Sequence, residues 1–249
     1  MTPSQRYFFD VTGYLHIKNA LTEKELSDGR LACERYMKIE DNQFPNGFGK
    51  DGKRYINGFA FDRCLERLVF HPSTWPIIME LTNGKPKLVS GTLQIDQPGA
   101  EGGGLHCARD DYGWESCRYE VKNSRIYCDN FVVFPYFDDV LPGDGGLLLV
   151  PGSHKAQFDR PRHLFQDGHP SDSKNLPEGI VNVTPKAGDI LVMPELMTHG
   201  ILPWQPTDRL RRILVLRYAP QYRGGGGVPE SLEGRLLPET KELMSSAHY

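Results

Sequence analysis

The sequence predicts an α+β protein, mainly β, in which N-terminal helices precede a β-sandwich or barrel, most commonly a jelly roll. Helix signals are confined to about the first 84 residues, and from about 85 to 220 the chain runs as short β-branched or aromatic stretches between Pro/Gly turns. No self-similar period of ~20–50 residues marks a solenoid or propeller.

The first helix signal is Thr22 followed by Glu25, a capping-box pattern ahead of Leu26, Leu31, Cys33 and Met37, which predicts a helix from about 23 to 38. Residues 41–57 (DNQFPNGFGKDGKRYIN) hold no sustained period and are expected to form a loop over the surface or over a site. Between 63 and 82, apolar residues on either side of His71-Pro72 predict two short helices. Strands are expected at 88–96, 125–137, 146–154, 181–185, 189–194 and 211–219. The Gly224 to Gly227 run reads as a flexible connection to a partly ordered C-terminal segment. One domain, 1–249, is expected: a helical part to about 84, a core to about 220, and an extension from about 221 to 249.

Composition narrows the function. The 249 residues are 39% hydrophobic and 24% charged, as in ordinary globular proteins, and the net charge of -3 offers no field to attract a nucleic acid polymer or an anionic membrane. The N-terminus lacks a signal-peptide pattern and no run approaches the ~20 apolar residues of a membrane span, so a cytoplasmic protein is expected. The five cysteines include no C-x-x-C pair, which predicts free thiols and argues against a disulfide framework or structural zinc.

Among eight histidines, context singles out His106, after the Gly102-Gly103-Gly104 run, and His199, after a strand and a short turn. At the open end of a jelly roll two such positions can converge. Farther on, alternation places Arg211 with Ile213 on one strand face and Arg212 with Leu214 on the other. An arginine aimed into a barrel requires an anion, and its planar fork suits a carboxylate. A surface position on an edge strand suits Arg209 or Arg212 better.

The succession FDVTGYLHIKNALT, LHCA at His106, DDVLPGDGGLLLVPGSHK, AGDILVMPELMTHG and DRLRRILVLRY resembles the phytanoyl-CoA dioxygenase-like branch of iron(II)/2-oxoglutarate-dependent oxygenases, over roughly residues 7–220. The resemblance implies a double-stranded β-helix (jelly roll, cupin-like) with N-terminal helices, and Fe(II), 2-oxoglutarate and O2 as cofactors. It matches His106 and His199 to the iron-binding histidines and Arg211 to the arginine that pairs with the distal carboxylate of 2-oxoglutarate. Gln94 falls about where relatives use an amide or hydroxyl for the co-substrate. His154, in PGSHK, is not a ligand in the family pattern and is expected to hold a turn.

The family's H-x-D motif is here His106-Cys107-Ala108, and a methyl group cannot ligate iron. Three explanations compete. The first resembles the iron/2-oxoglutarate halogenases, where Ala or Gly leaves room for chloride on iron; Ala108 then acts by its smallness, and Arg109 or a backbone N–H helps hold the anion. In the second, Asp110 or Asp111, four and five residues after His106, or water supplies the ligand of a hydroxylase; on a regular strand Asp110 shares the face of His106 and Ala108 but lies two residues' rise (~6–7 Å) beyond Ala108, so a bulge would have to bring it back. In the third, the fold binds without catalysis. We take first a halogenase chlorinating an unactivated C–H bond of a small molecule by a radical mechanism, with the hydroxylase as the alternative.

Residues directly after the metal motif are candidates to line the mouth: Arg109, Asp110, Tyr112, Trp114 and Arg118, with Tyr127 and Asn130 on the next strand. Packing alone also accounts for Tyr112 and Trp114. Arginine and aromatic side chains together suit a planar anionic small molecule such as a nucleotide, and the resemblance to halogenases that act on freestanding nucleotides and amino acids implies a nucleotide or amino-acid-like metabolite. Nothing reads out a carrier protein's arm, so a carrier-tethered substrate stays open. The polar run 160–179 is of a length and composition that often covers a site.

Overall fold

In the computed structural model, Thr2 and Thr22 open helices by the same device. Each threonine side chain accepts the backbone N–H three residues on, and Gln5 or Glu25 returns a bond to the cap backbone. These caps start α1 (Pro3–Thr12) and α2 (Glu23–Met37), and Gly13 ends α1 at φ +82°. Helices α3 (Arg63–Arg67) and α4 (Trp75–Leu81) flank His71-Pro72 as expected. The structure describes residues 1–112, 117–161, 173–174 and 176–245, the side chains of 111 and 112 excepted.

Among the described residues every strand pairing is antiparallel. Strands β1 (Leu15–Ile17), β2 (Gly49–Asp51), β3 (Arg54–Ile56), β4 (Pro86–Asp96), β8 (Phe131–Pro135), β11 (Ile190–Pro194) and β13 (Arg211–Pro220) form a seven-stranded sheet in the order β1-β11-β8-β13-β4-β3-β2. Strands β5 (Gly103–His106), β9 (Gly146–Leu149), β10 (Val181–Asn182) and β12 (His199–Leu202) form a four-stranded sheet, β10-β9-β12-β5. β6 (Tyr119–Lys122) and β7 (Arg125–Cys128) make a separate hairpin. This is a jelly roll.

The period-two pattern of β13 divides the core in two. Ile213 and Val215 pack between the sheets with Val132, Leu147, Leu149 and Trp204. Leu214, Leu216 and Tyr218 face the opposite way, where Leu26, Cys33, Tyr36, Leu65 and Ile78 of the helices cover the large sheet. Leu232, Leu236, Leu243 and Met244, in and before α6 (Pro238–Met244), join that second core.

Several expectations are corrected. Residues 41–57 do not form a plain loop: β2 and β3 extend the large sheet there, with Arg54 and Tyr55 paired to Gln94 and Leu93. The 125–137 run breaks into β7 and β8, and 146–154 is a strand only to Leu149. The chain turns helical immediately after β5, forming α5 (Ala108–Tyr112). The cysteines are free as expected, and among the described residues no helix is long and apolar enough to cross a membrane. Most of the run 160–179 lies outside the described residues.

Candidate active site

β5 and β12 bring the two singled-out histidines together. His106 ends one strand, His199 begins the other, and they are direct partners in the ladder. Their ring centroids are 4.3 Å apart. Glycine makes this approach possible: a Cβ on Gly200 would lie 3.0 Å from the Gly103 carbonyl oxygen, and one on Gly102 would collide with the Ile201 carbonyl. His106 Nδ1 lies 2.9 Å from the Gly104 carbonyl oxygen and His199 Nδ1 lies 2.7 Å from that of Met197. A carbonyl only accepts, so both Nδ1 atoms carry the proton and both Nε2 lone pairs are left for a metal. Burial, and then the charge of His106, push the His199 pKa down to about 4, which keeps the imidazole neutral and ligand-ready at neutral pH.

Ala108 is buried, packs with Cys117 and Leu196, and donates its N–H to the Glu195 carbonyl at 2.9 Å. Asp110 does not take the place of a carboxylate at position 108. No bulge returns it along the strand, because the strand stops at His106; in α5 the Asp110 carboxylate accepts the Cys107 N–H at 2.9 Å and pairs with Arg160. Among the described residues no group of three or more His, Cys, Asp or Glu could hold a metal. Neutral imidazole, the form that His106 and His199 present to each other, suits iron(II).

Arg211 shares the inward face of Ile213 and is 1% exposed. The anion that such a position requires is supplied within the chain: Asp96 Oδ2 accepts from Arg211 Nε at 3.0 Å and Nη2 at 2.8 Å. Gln94 also donates to Asp96 Oδ2, at 3.2 Å, and Lys53 Nζ lies 3.2 Å from Oδ1. The Trp204 ring lies 5.6 Å from the Arg211 guanidinium carbon. Two cations and one carboxylate leave the cluster with one net positive charge.

Comparison with known proteins gives the family and agrees with the fold. The family model for phytanoyl-CoA dioxygenase (PhyH) matches residues 9–203. The chain belongs to the phytanoyl-CoA dioxygenase family. That family consists of iron- and 2-oxoglutarate-dependent oxygenases. A "Probable phytanoyl-CoA dioxygenase" of Caenorhabditis elegans is 22% identical over 248 residues, covering 88% of this chain and 75% of that protein. HygX from Streptomyces hygroscopicus, solved with nickel and 2-oxoglutarate bound, superposes with a TM-score of 0.74 at 23% identity, covering 88% of this chain and 87% of HygX. HygX was also solved with hygromycin B bound. SnoK, a non-heme alpha ketoglutarate dependent carbocyclase from nogalamycin biosynthesis, gives a TM-score of 0.64 at 20% identity, with 89% of this chain and 85% of SnoK covered.

The other candidate residues of this phytanoyl-CoA dioxygenase family member have partners of their own. Arg109 donates to the carbonyls of Ala156 at 2.6 Å and His154 at 2.9 Å. With Asp110, Cys107, Val150 and Thr198 it lines a cavity of about 480 Å³. That cavity lies behind the histidine-bearing sheet, because Leu147 and Leu149 point into the barrel whereas Leu148, Leu202 and Val150 pack on the outer side with Ile180. Arg118 lies 4.9 Å from the Tyr127 ring and donates to the Tyr222 hydroxyl at 2.9 Å. Asn130 contacts Cys117 Sγ at 3.6 Å, just beyond Ala108. The Tyr112 side chain and Trp114 lie outside the described residues. Arg212 is not on an edge: β13 is central, and Arg212 pairs with Asp138. Arg209 pairs with Asp144.

Sequence reasoning missed Asp96, Lys53 and Gly146. Asp96 was legible by alternation from Gln94; a Cβ on Gly146 would collide with Arg211 Nη1, which no sequence pattern indicates. Among the described residues neither His154 ring nitrogen has a hydrogen-bond partner, so the ring does not hold the turn that way. Ser153 does so instead, its hydroxyl accepting the Thr198 N–H at 2.8 Å.

Proposed function

We propose that this protein oxidises a C–H bond of a small molecule, with iron(II) held by His106 and His199 and the distal carboxylate of 2-oxoglutarate seated at Arg211. The observation that carries this reading is the paired imidazoles, both fixed as Nδ1–H tautomers by backbone carbonyls, on the barrel that also buries Arg211. Iron(II), 2-oxoglutarate and dioxygen together supply an oxidant able to take hydrogen from an unactivated carbon. The chain's part is geometric: carbonyls 104 and 197 aim the Nε2 atoms, and the cluster around Arg211 holds one net positive charge in the barrel. The ligands in the HygX structures, 2-oxoglutarate and hygromycin B, make a small-molecule substrate the natural expectation.

Chlorination is the outcome to which Ala108 points, because a methyl group leaves an iron position to a ligand from solvent. Hydroxylation, with water in that position, is the second reading and one observation favours it. The groups expected to steady a chloride are engaged elsewhere, the Ala108 N–H on Glu195 and the Arg109 guanidinium on carbonyls 154 and 156.

An anaerobic absorption titration of the iron(II)–2-oxoglutarate complex with chloride tests both. A saturable shift of the metal-to-ligand charge-transfer band that Ala108→Asp abolishes supports chlorination. A band indifferent to chloride supports hydroxylation, and no band at all removes the iron and 2-oxoglutarate reading.

A further inference from the structure

We propose that Asp96 and Lys53 set how tightly, and how selectively, the Arg211 pocket takes a dicarboxylate. This rests on the reading of Arg211 as the seat of the co-substrate's distal carboxylate and assigns two further residues to that seat.

Asp96 occupies one edge of the Arg211 guanidinium, taking both Nε and Nη2 on a single carboxylate oxygen. Both side chains are 1% exposed. Arg211 with Asp96 alone would be a neutral pair, and a second carboxylate approaching it would meet the Asp96 charge in a low-dielectric interior. Lys53 restores the balance from the other side of Asp96.

Lys53 is well fixed for this role. It lies in the turn between β2 and β3, its backbone carbonyl accepts the Ile95 N–H at 2.9 Å, and its ammonium also donates to the Glu101 carbonyl at 2.7 Å. Because β3 pairs with β4 at Gln94, the hairpin holds the ammonium beside Asp96. One positive charge then remains for one incoming carboxylate. Gln94, donating to the oxygen that Arg211 also uses, orients Asp96 rather than adding charge.

The test is an anaerobic calorimetric titration of the iron(II)-loaded protein with 2-oxoglutarate and, separately, 2-oxobutyrate, which shares the chelating end and lacks the distal carboxylate. Lys53→Met is expected to weaken 2-oxoglutarate binding about tenfold and to leave 2-oxobutyrate binding unchanged. Asp96→Asn is expected to raise the preference for 2-oxoglutarate. Should that variant not fold, Lys53→Met and the neutral Lys53→Gln carry the test, because their side chain is partly exposed and absent from the apolar core. Equal losses for both ligands would mean a purely structural role and overturn the proposal. An unchanged preference in Lys53→Met would overturn it too, while a wild-type protein with no preference for 2-oxoglutarate would instead sink the reading of Arg211 beneath it.

Discussion

His106 and His199 face each other across the β5–β12 ladder, and each holds its Nδ1 on the carbonyl two residues before it. His106 is exposed and His199 half-buried, but each leaves one Nε2 to the pair, so a metal held there should depend on both. Even losing a hydrogen bond behind a metal ligand costs about 10–100-fold in affinity, and losing the ligand costs more. His106→Ala and His199→Ala should each lose stoichiometric iron, read as iron per chain after anaerobic gel filtration. A variant that retained wild-type iron would show that the pair is not the metal site.

Gly146 should be intolerant for two reasons that meet at Arg211. It adopts φ +86°, and a Cβ there would strike Arg211 Nη1. Gly146→Ala should therefore cost about 1–2 kcal/mol from the backbone alone, with a further loss from displacing a buried guanidinium. The specific expectation is a fall in 2-oxoglutarate affinity beyond that of Gly143→Ala, another positive-φ glycine whose Cβ meets nothing within 4 Å. Equal affinities in the two variants would separate Gly146 from the pocket.

The contrast between these residues shows what a sequence can carry. Arg211 was legible because alternation along β13 continues unbroken through Ile213 and Val215, and α2 because Thr22 and Glu25 make their bonds locally. The position of Asp110 is not legible by strand period, because the chain turns helical directly after His106. α1 escaped notice because it leaves Tyr7, Phe8 and Val11 exposed, blurring its amphipathic stripe. The β2–β3 hairpin has outward-facing charges and only Tyr55 buried in β3, so it gave no two-residue period to read. Asp96 as the partner of Arg211 is a contact between residues 115 positions apart, which no local pattern encodes.

Asp138 should be required for stability, not chemistry. Its carboxylate takes Arg212 in a two-pronged contact, Nη2 to Oδ1 at 2.7 Å and Nε to Oδ2 at 2.8 Å, and also accepts the Arg212 N–H at 3.0 Å. Asp138→Ala leaves the half-buried guanidinium with the more exposed Glu34 carboxylate at 3.4 Å. A loss of about 2–4 kcal/mol is expected in urea unfolding, with a smaller loss when Arg212→Met is added, because the unpaired charge goes with it. If the double variant were less stable by the sum of the two single losses, the pair would not be coupled.

His154 makes the acid sensitivity of the metal-free protein testable. The side chain is fully buried, edge-on to the Tyr119 ring at 4.4 Å between centroids, and neither nitrogen has a partner among the described residues. Burial first, and the Lys155 charge second, push its pKa down to about 4. The unfolded chain takes up this proton near pH 6.5, whereas the folded chain does so only near pH 4. Between those values the unfolded state binds more protons, so stability falls as the pH drops through that window, by about 3 kcal/mol from this residue. His199 shifts in the same direction, so the wild-type loss is larger than the His154 share. His154→Leu should remove that share alone, leaving stability at pH 7.5 within about 1–2 kcal/mol of wild type because the leucine buries no unpaired nitrogen. Urea unfolding of both metal-free proteins at a series of pH values from 7.5 to 4 measures the difference, and identical slopes would show that His154 is not the titrating group.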